Sequence, residues 1–134
     1  MLVHGLTPIL SVSNLAESFE WFEKLGWKKH WDWGTPPSFG AVINGKCEIF
    51  LCLNCQGAQS KKNLQSVHYD EMGGSWMTWW LESPAEVDKA YQQAIKNGIT
   101  VGDPPMDMSW NVRECLIRHP DGHVFRLSSG LEEE

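Results

Sequence analysis

The chain has 134 residues, 42% hydrophobic and 21% charged, with 17 acidic against 11 basic side chains and a formal net charge of −6. That length suits one compact domain burying about two-thirds of its unfolded surface, and the scarcity of basic clusters beyond Lys28-Lys29 and Lys61-Lys62 argues against nucleic acid or an anionic membrane as partner. No apolar run is long enough to span a bilayer, and Met1-Leu2-Val3-His4-Gly5 lacks the charged-then-apolar pattern of a secretory leader, so a soluble cytoplasmic protein is expected.

In chain order, residues 6–12 read as a short apolar strand, followed by Asn14 as a helix cap with Glu17 three positions on. Phe19, Trp21, Phe22 and Leu25 then recur at helical spacing, and Gly26 supplies the left-handed residue that ends the helix. Residues 27–33 and 38–43 are strand-like, with Gly34-Thr35-Pro36-Pro37 between them, and Asn44-Gly45 signals a tight hairpin into a strand over 46–53. The polar stretch 54–74 reads as a connection, with room for a short helix or a cover over a pocket mouth. The plan then restarts: a strand over 76–81, Ser83 as cap with Pro84 and Glu86 behind it, Val87, Ala90, Tyr91, Ala94 and Ile95 at helical spacing, and Gly98 at the end. Strands over 99–101, 110–117 and 123–128 complete the second copy, with His119-Pro120-Asp121-Gly122 as the turn before the last. The caps Asn14 and Ser83 and the strand ends Val12 and Leu81 are both 69 residues apart, so strand and cap shift together as in a duplicated module. The expected division is one domain over 1–134: module one 1–55, connection 56–74, module two 75–130 and an acidic tail 131–134.

Reduced thiols are expected for the four cysteines, since Cys47 and Cys115 lie in strand-like runs. Cys52-Leu53-Asn54-Cys55 has zinc-ligand spacing without a second pair to complete it, and its plain reading is a strand end entering a loop. His4, His30, His68, His119 and His123 show neither HxH nor HExxH spacing, His119 belonging to the turn and His123 lying on the face opposite Arg126 or beyond the pocket edge. Neither a phosphate loop nor a serine elbow occurs, and no catalytic residue is assigned.

The duplicated strand–helix–three-strand plan, with a Leu-Gly helix end and a His-Pro-Asp-Gly turn before His-Val-Phe-Arg-Leu, resembles the vicinal-oxygen-chelate superfamily over essentially the whole chain. The resemblance implies an α+β fold of two βαβββ modules forming a curled mixed sheet around a shared cleft, and a homodimer. In the family's enzymes a divalent metal sits in that cleft, held by one side chain from the first and last strands of each module. Those positions fall here on Thr7, Glu48, Trp76 and Arg126. Of these only Glu48 is a normal ligand, because Trp donates only a proton and Arg repels a cation. No metal or other cofactor is therefore expected, and the resemblance to the family's metal-dependent chemistry lapses with it.

In place of the metal, Glu48 and Arg126 are expected to form an ion pair across the cleft. The plainer alternative is that Arg126 points to solvent and Glu48 is an edge-strand acid. Eight tryptophans are the other anomaly. Trp21 and Trp27 read as core. By strand alternation Trp76, Thr78 and Trp80 share the pocket face while Met77, Trp79 and Leu81 pack under the helix. Trp31 and Trp33 share a face, and Trp110 opens the seventh strand. A site of Thr7, Trp31, Trp33, Glu48, Phe50, Trp76, Thr78, Trp80, Trp110 and Arg126 suits a flat aromatic or cationic small molecule, the alternative being tryptophan as filler of a thin core. The expected function is sequestration by a metal-free binding protein of the bleomycin-resistance type, with an associated role in antibiotic resistance. The alternatives are a metal-dependent glyoxalase-like or dioxygenase-like enzyme, or a metal-free lyase or isomerase with Glu48 as base.

Overall fold

The computed structural model describes residues 1–58, 62–71 and 73–131. Positions 132–134 of the expected acidic tail, and 59–61 and 72 of the expected connection, lie outside the described residues. The chain divides into two compact units, Met1–Gln59 and Ser60–Glu134, each built on the strand–helix–strands plan.

The first unit runs β1 (Ile9–Val12), α1 (Leu15–Glu23), β2 (Lys28–Trp33), β3 (Phe39–Asn44) and β4 (Cys47–Leu53). Its sheet has the order β1-β4-β3-β2, with β1 parallel to β4 and the other pairs antiparallel. Asn14 caps α1 by accepting the Glu17 amide at 3.0 Å, and Gly26 takes a φ of 89° past its end. One sheet face carries Leu10, Val12, Val42, Ile49 and Leu51, all at most 2% exposed, and forms a core with the Phe19 and Phe22 face of α1. Gly40 in β3 is part of that fit, since a β-carbon there would stand 2.6 Å from the Phe19 ring.

The second unit runs β5 (Trp76–Trp80), α2 (Pro84–Lys96), β6 (Thr100–Val101), β7 (Met106–Asp107), β8 (Val112–Arg118) and β9 (Val124–Gly130). The order is β5-β9-β8-β6, with β7 also pairing β8. Ser83 Oγ accepts the Glu86 amide at the start of α2, and Gly98 ends the helix at a φ of 75°. Val87, Tyr91 and Ala94 of α2 are buried, with Phe125, Ile117 and Leu127 buried in β8 and β9, two of the strands that α2 contacts. Trp79 stacks on Phe125 with ring centroids 4.5 Å apart, on the helix side as alternation requires.

Several expectations are corrected. The first strand begins at Ile9, so Thr7 precedes it. Pro8 has no amide to give the ladder, though its carbonyl accepts the Phe50 amide. Trp110 does not open a strand. It sits in the turn before β8, where Asn111 adopts a left-handed φ of 66°, and the short strand β7 lies in a stretch whose Pro-Pro pair masked it. Cys52 and Cys55 are joined as a disulfide instead of being reduced, because the left-handed Asn54 (φ 49°) turns the chain and leaves their Cα atoms 5.7 Å apart, within bonding range. Cys47 and Cys115 are free thiols.

The β8–β9 turn is a buried polar knot. His119 and His123 are at most 1% exposed with rings 5.5 Å apart; His119 Nδ1 accepts the Asp121 amide and His123 Nδ1 accepts the Ser75 amide. His123 is thus interior, not beyond a pocket edge. Beside them Arg118, also buried, donates to the Ser66 and Gly122 carbonyls and pairs with Glu71, tying residues 66–71 to the turn. Burial, with the neighbouring His123, depresses the His119 pKa to about 3 against the partial offset of Asp121. A depressed folded-state pKa means that the contribution is complete above the unfolded value near 6.5 and is lost as pH falls toward 3, at up to about 1.4 kcal/mol per pH unit. Thermal unfolding followed from pH 7 to pH 4 is expected to show a steadily falling midpoint; a flat profile would contradict neutral burial of this imidazole.

Candidate functional site

Each unit turns one sheet face away from its helix, and the polar and aromatic chemistry gathers there. In the second unit strand register sets the membership: Leu116 lies opposite Arg126, Glu114 opposite Ser128, Trp76 opposite Val124 and Thr78 opposite Arg126. Partners in register share a face, so Glu114, Leu116, Arg126, Ser128, Trp76, Thr78 and Trp80 stand on one side.

Glu114 is the centre of that face. It is 1% exposed, and its two oxygens are filled by four donors: Arg126 Nε at 3.0 Å and Ser128 Oγ at 2.5 Å on one, Arg126 Nη2 at 3.0 Å and Tyr69 Oη at 2.9 Å on the other. Burial by itself raises the Glu114 pKa. The hydrogen bonds from Arg126, Ser128 and Tyr69, with the Arg126 charge, outweigh it and hold the carboxyl below the ordinary range. Burial and acceptance by Glu114 push the Tyr69 hydroxyl up, so it remains a donor. A carboxylate so saturated has no lone pair directed at a substrate, which makes it an anchor for Arg126 and not a general base.

The rim is aromatic. The Arg126 guanidinium lies 5.8 Å from the Trp110 ring centroid, and Tyr69 meets Trp110 edge-on at 6.2 Å. Behind them is a cavity of about 220 Å³ lined by Val67, Tyr69, Met106, Trp110, Glu114 and Leu116 among others. That volume admits a single ring or side group, being below the roughly 300–1,000 Å³ of pockets that enclose a drug-sized molecule. Trp76 is packed against Val67, Leu116 and Val124, while Trp80, 69% exposed, stands in solvent.

In the first unit the open face carries Trp31, Phe39 and Phe50 in mutual contact. Trp31 stacks on Phe39 at 5.8 Å and 17°, and Phe50 meets both edge-on at 5.4 Å. Trp33, opposite Phe39 in the ladder, is 69% exposed. Glu48, two residues before Phe50 and so on the same face, shares a 2.9 Å hydrogen bond with His30 Nδ1.

The expected Glu48–Arg126 ion pair is therefore corrected: Arg126 is taken by Glu114 and Glu48 by His30. The physical reason is register. Ile9 lies opposite Phe50 and Thr78 opposite Arg126, and Ile9 and Thr78 are separated by the same 69 residues as the strand ends. The counterpart of Arg126 is thus Phe50, and the counterpart of Glu48 is Val124. Of the expected site residues, Trp31 and Phe50 come together, Trp33 and Glu48 share their face, and Thr78 and Trp110 accompany Arg126. Glu114, Ser128, Tyr69, Phe39 and His30 were missed; alternation from Arg126 through the hairpin to Glu114 was the available signal for the first.

The donor set does not fit a divalent ion. Arg126 is cationic, Trp76 offers no lone pair, Phe50 takes the place Glu48 was given, and among the described residues no three His, Cys, Asp or Glu side chains converge.

The model of the Glyoxalase/Bleomycin resistance protein/Dioxygenase superfamily matches residues 3–127. No curated protein sequence matches the chain. Among solved structures, a glyoxalase/bleomycin resistance protein/dioxygenase from Nocardioides is similar with a TM-score of 0.73 at 22% identity, covering 100% of this chain and 88% of that one. A bleomycin-binding protein complexed with bleomycin is similar at 0.67 and 16% identity, over 98% and 100% of the two chains. The bleomycin resistance determinant encoded on the transposon Tn5 gives 0.69 and 16%, over 96% and 98%.

Proposed function

Because the chain belongs to the glyoxalase/bleomycin resistance protein/dioxygenase superfamily, we propose that it is a binding protein of the bleomycin-resistance kind, holding a flat aromatic or cationic compound without transforming it. The observation that carries this reading is the Trp31–Phe39–Phe50 cluster on the open sheet face of the first unit, with the exposed Trp33 beside it and the Glu48 carboxylate on the same side. A flat cation stacks on such rings through their quadrupole and gains from a nearby carboxylate. The second unit adds a ring-sized cavity beside Trp110 and a guanidinium already neutralised by Glu114, suited to a flat apolar group. The bleomycin complex of one structural relative supports a small-molecule ligand at the level of the fold.

In this reading the protein sequesters its ligand, contributes to antibiotic resistance, acts in the cytoplasm and works as a homodimer. The donor chemistry at the family's metal positions supports binding in place of metal-assisted turnover. Titration with ethidium, a flat aromatic cation, and separately with bleomycin, followed by tryptophan fluorescence, tests it. Saturable quenching by at least one of the two is expected. Linear, non-saturating quenching by both would reduce the reading to its fold.

A further inference from the structure

The aromatic face of the first unit borders a second chemical feature that sequestration alone does not use. Cys52, in β4, lies opposite both Phe39 and Ser11 in the ladders, so its side chain shares the face of Phe39 and Phe50. It is 3% exposed, and its bonded partner Cys55 is exposed. Between them Asn54 holds a left-handed φ of 49° and donates its amide to the Val12 carbonyl at 2.8 Å. The turn that follows lies tightly on β1: a β-carbon at Gly57 would stand 2.7 Å from the Ile9 carbonyl oxygen and 2.9 Å from the Ser11 nitrogen. The bond therefore joins the edge of the aromatic face to a turn seated on the neighbouring strand.

We propose that Cys52–Cys55 is a reversible redox site, exchanged by a cellular dithiol, that sets the position of the 54–57 turn and with it the affinity of the aromatic face. The inference rests on the function proposed above for that face. Three observations carry it. The two cysteines have the C-x-x-C spacing of exchangeable pairs, and no third His, Cys, Asp or Glu joins them as a metal ligand among the described residues. The ring closed by so short a separation removes little chain entropy, so opening it leaves the unit folded. The exposed Cys55 gives an incoming thiolate access to one sulfur, while the leaving sulfur is on the ligand face.

One thiolate of the dithiol attacks Cys55 Sγ, forming a mixed disulfide and releasing Cys52 as a thiolate that takes a proton from solvent. The second thiol of the reductant then loses its proton, attacks its own half of the mixed disulfide, and leaves as a cyclic or protein disulfide, freeing Cys55. Two electrons pass from reductant to protein, and an oxidised dithiol reverses each step.

The test uses the whole protein. Whole-protein mass after iodoacetamide in denaturant is expected to show two alkylated cysteines before dithiothreitol and all four after it, matching the free Cys47 and Cys115 and the bonded pair. Hydrogen exchange at the Asn54 amide is expected to speed up by about tenfold on reduction, and ethidium affinity to shift by about fivefold. Cys55→Ser is expected to match the reduced protein in both readouts and to ignore dithiothreitol. If thiols and exchange respond while ethidium binds in neither state, the redox site stands and the assigned ligand face falls. Four alkylated cysteines before reduction, or Asn54 exchange and ethidium affinity both indifferent to reduction, would overturn the inference.

Discussion

Glu114→Ala is expected to destabilise the protein by about 3 kcal/mol and to lower its melting temperature by about 10 °C. The carboxylate is 1% exposed and accepts from three side chains, so its removal strands the Ser128 hydroxyl in a buried site and leaves the Arg126 guanidinium without its counter-charge. Loss of one partner of a fully buried pair typically costs about 3–5 kcal/mol, and the low end applies because the Arg126 side chain keeps 34% of its surface in solvent. Replacing both partners separates pairing from packing: Glu114→Leu combined with Arg126→Leu is expected to recover most of the loss, since neither variant side chain then carries an unmet charge. Urea unfolding of both variants beside the unsubstituted protein measures this. An unchanged midpoint in Glu114→Ala would mean that the fork contributes nothing to the fold.

Trp31→Ala is expected to weaken ethidium binding by about tenfold or more, roughly 1.4 kcal/mol, while leaving the sheet intact. Trp31 is the ring that stacks on Phe39 and also meets Phe50, so its removal dismantles the cluster instead of trimming its edge. Its position in the edge strand β2, on the face away from α1, keeps the cavity it leaves open to water and the cost in stability small. Trp80→Ala is the control. That indole is 69% exposed at the end of β5, so equal losses in both variants would point to nonspecific stacking on surface tryptophan.

The outline of the fold was legible because its signals are local. Asn14 and Ser83 as caps and the glycines at 26 and 98 as helix ends each act within one turn of helix, and the structure shows both caps accepting the amide three residues on and both glycines at positive φ. Alternation within a strand was equally readable, which is why Trp76, Thr78 and Trp80 fall on the face of Arg126 with Trp79 under the helix. The partner of Arg126 was not local. Glu114 and Cys115 are neighbours in a strand, and the side its acid faces follows only from carrying alternation back from Arg126 through the hairpin, which sets Leu116 opposite Arg126 and Glu114 opposite Ser128. Tyr69 reaches the site from a polar connection without periodicity, held by the Arg118 contacts to Ser66 and Glu71. The assignment of Glu48 failed for the same reason: a Glu-aliphatic pair two residues early in β4 looks like the counterpart of Arg126 until the parallel ladder sets Ile9 opposite Phe50.

The central claim is that this chain binds a flat small molecule on its aromatic faces through side chains alone. Calorimetric titration of ethidium into protein dialysed exhaustively against a chelator measures it most directly. Saturable binding with a Kd unchanged from that of undialysed protein is the predicted result. Binding that disappears on dialysis and returns when a divalent ion is added back would contradict it.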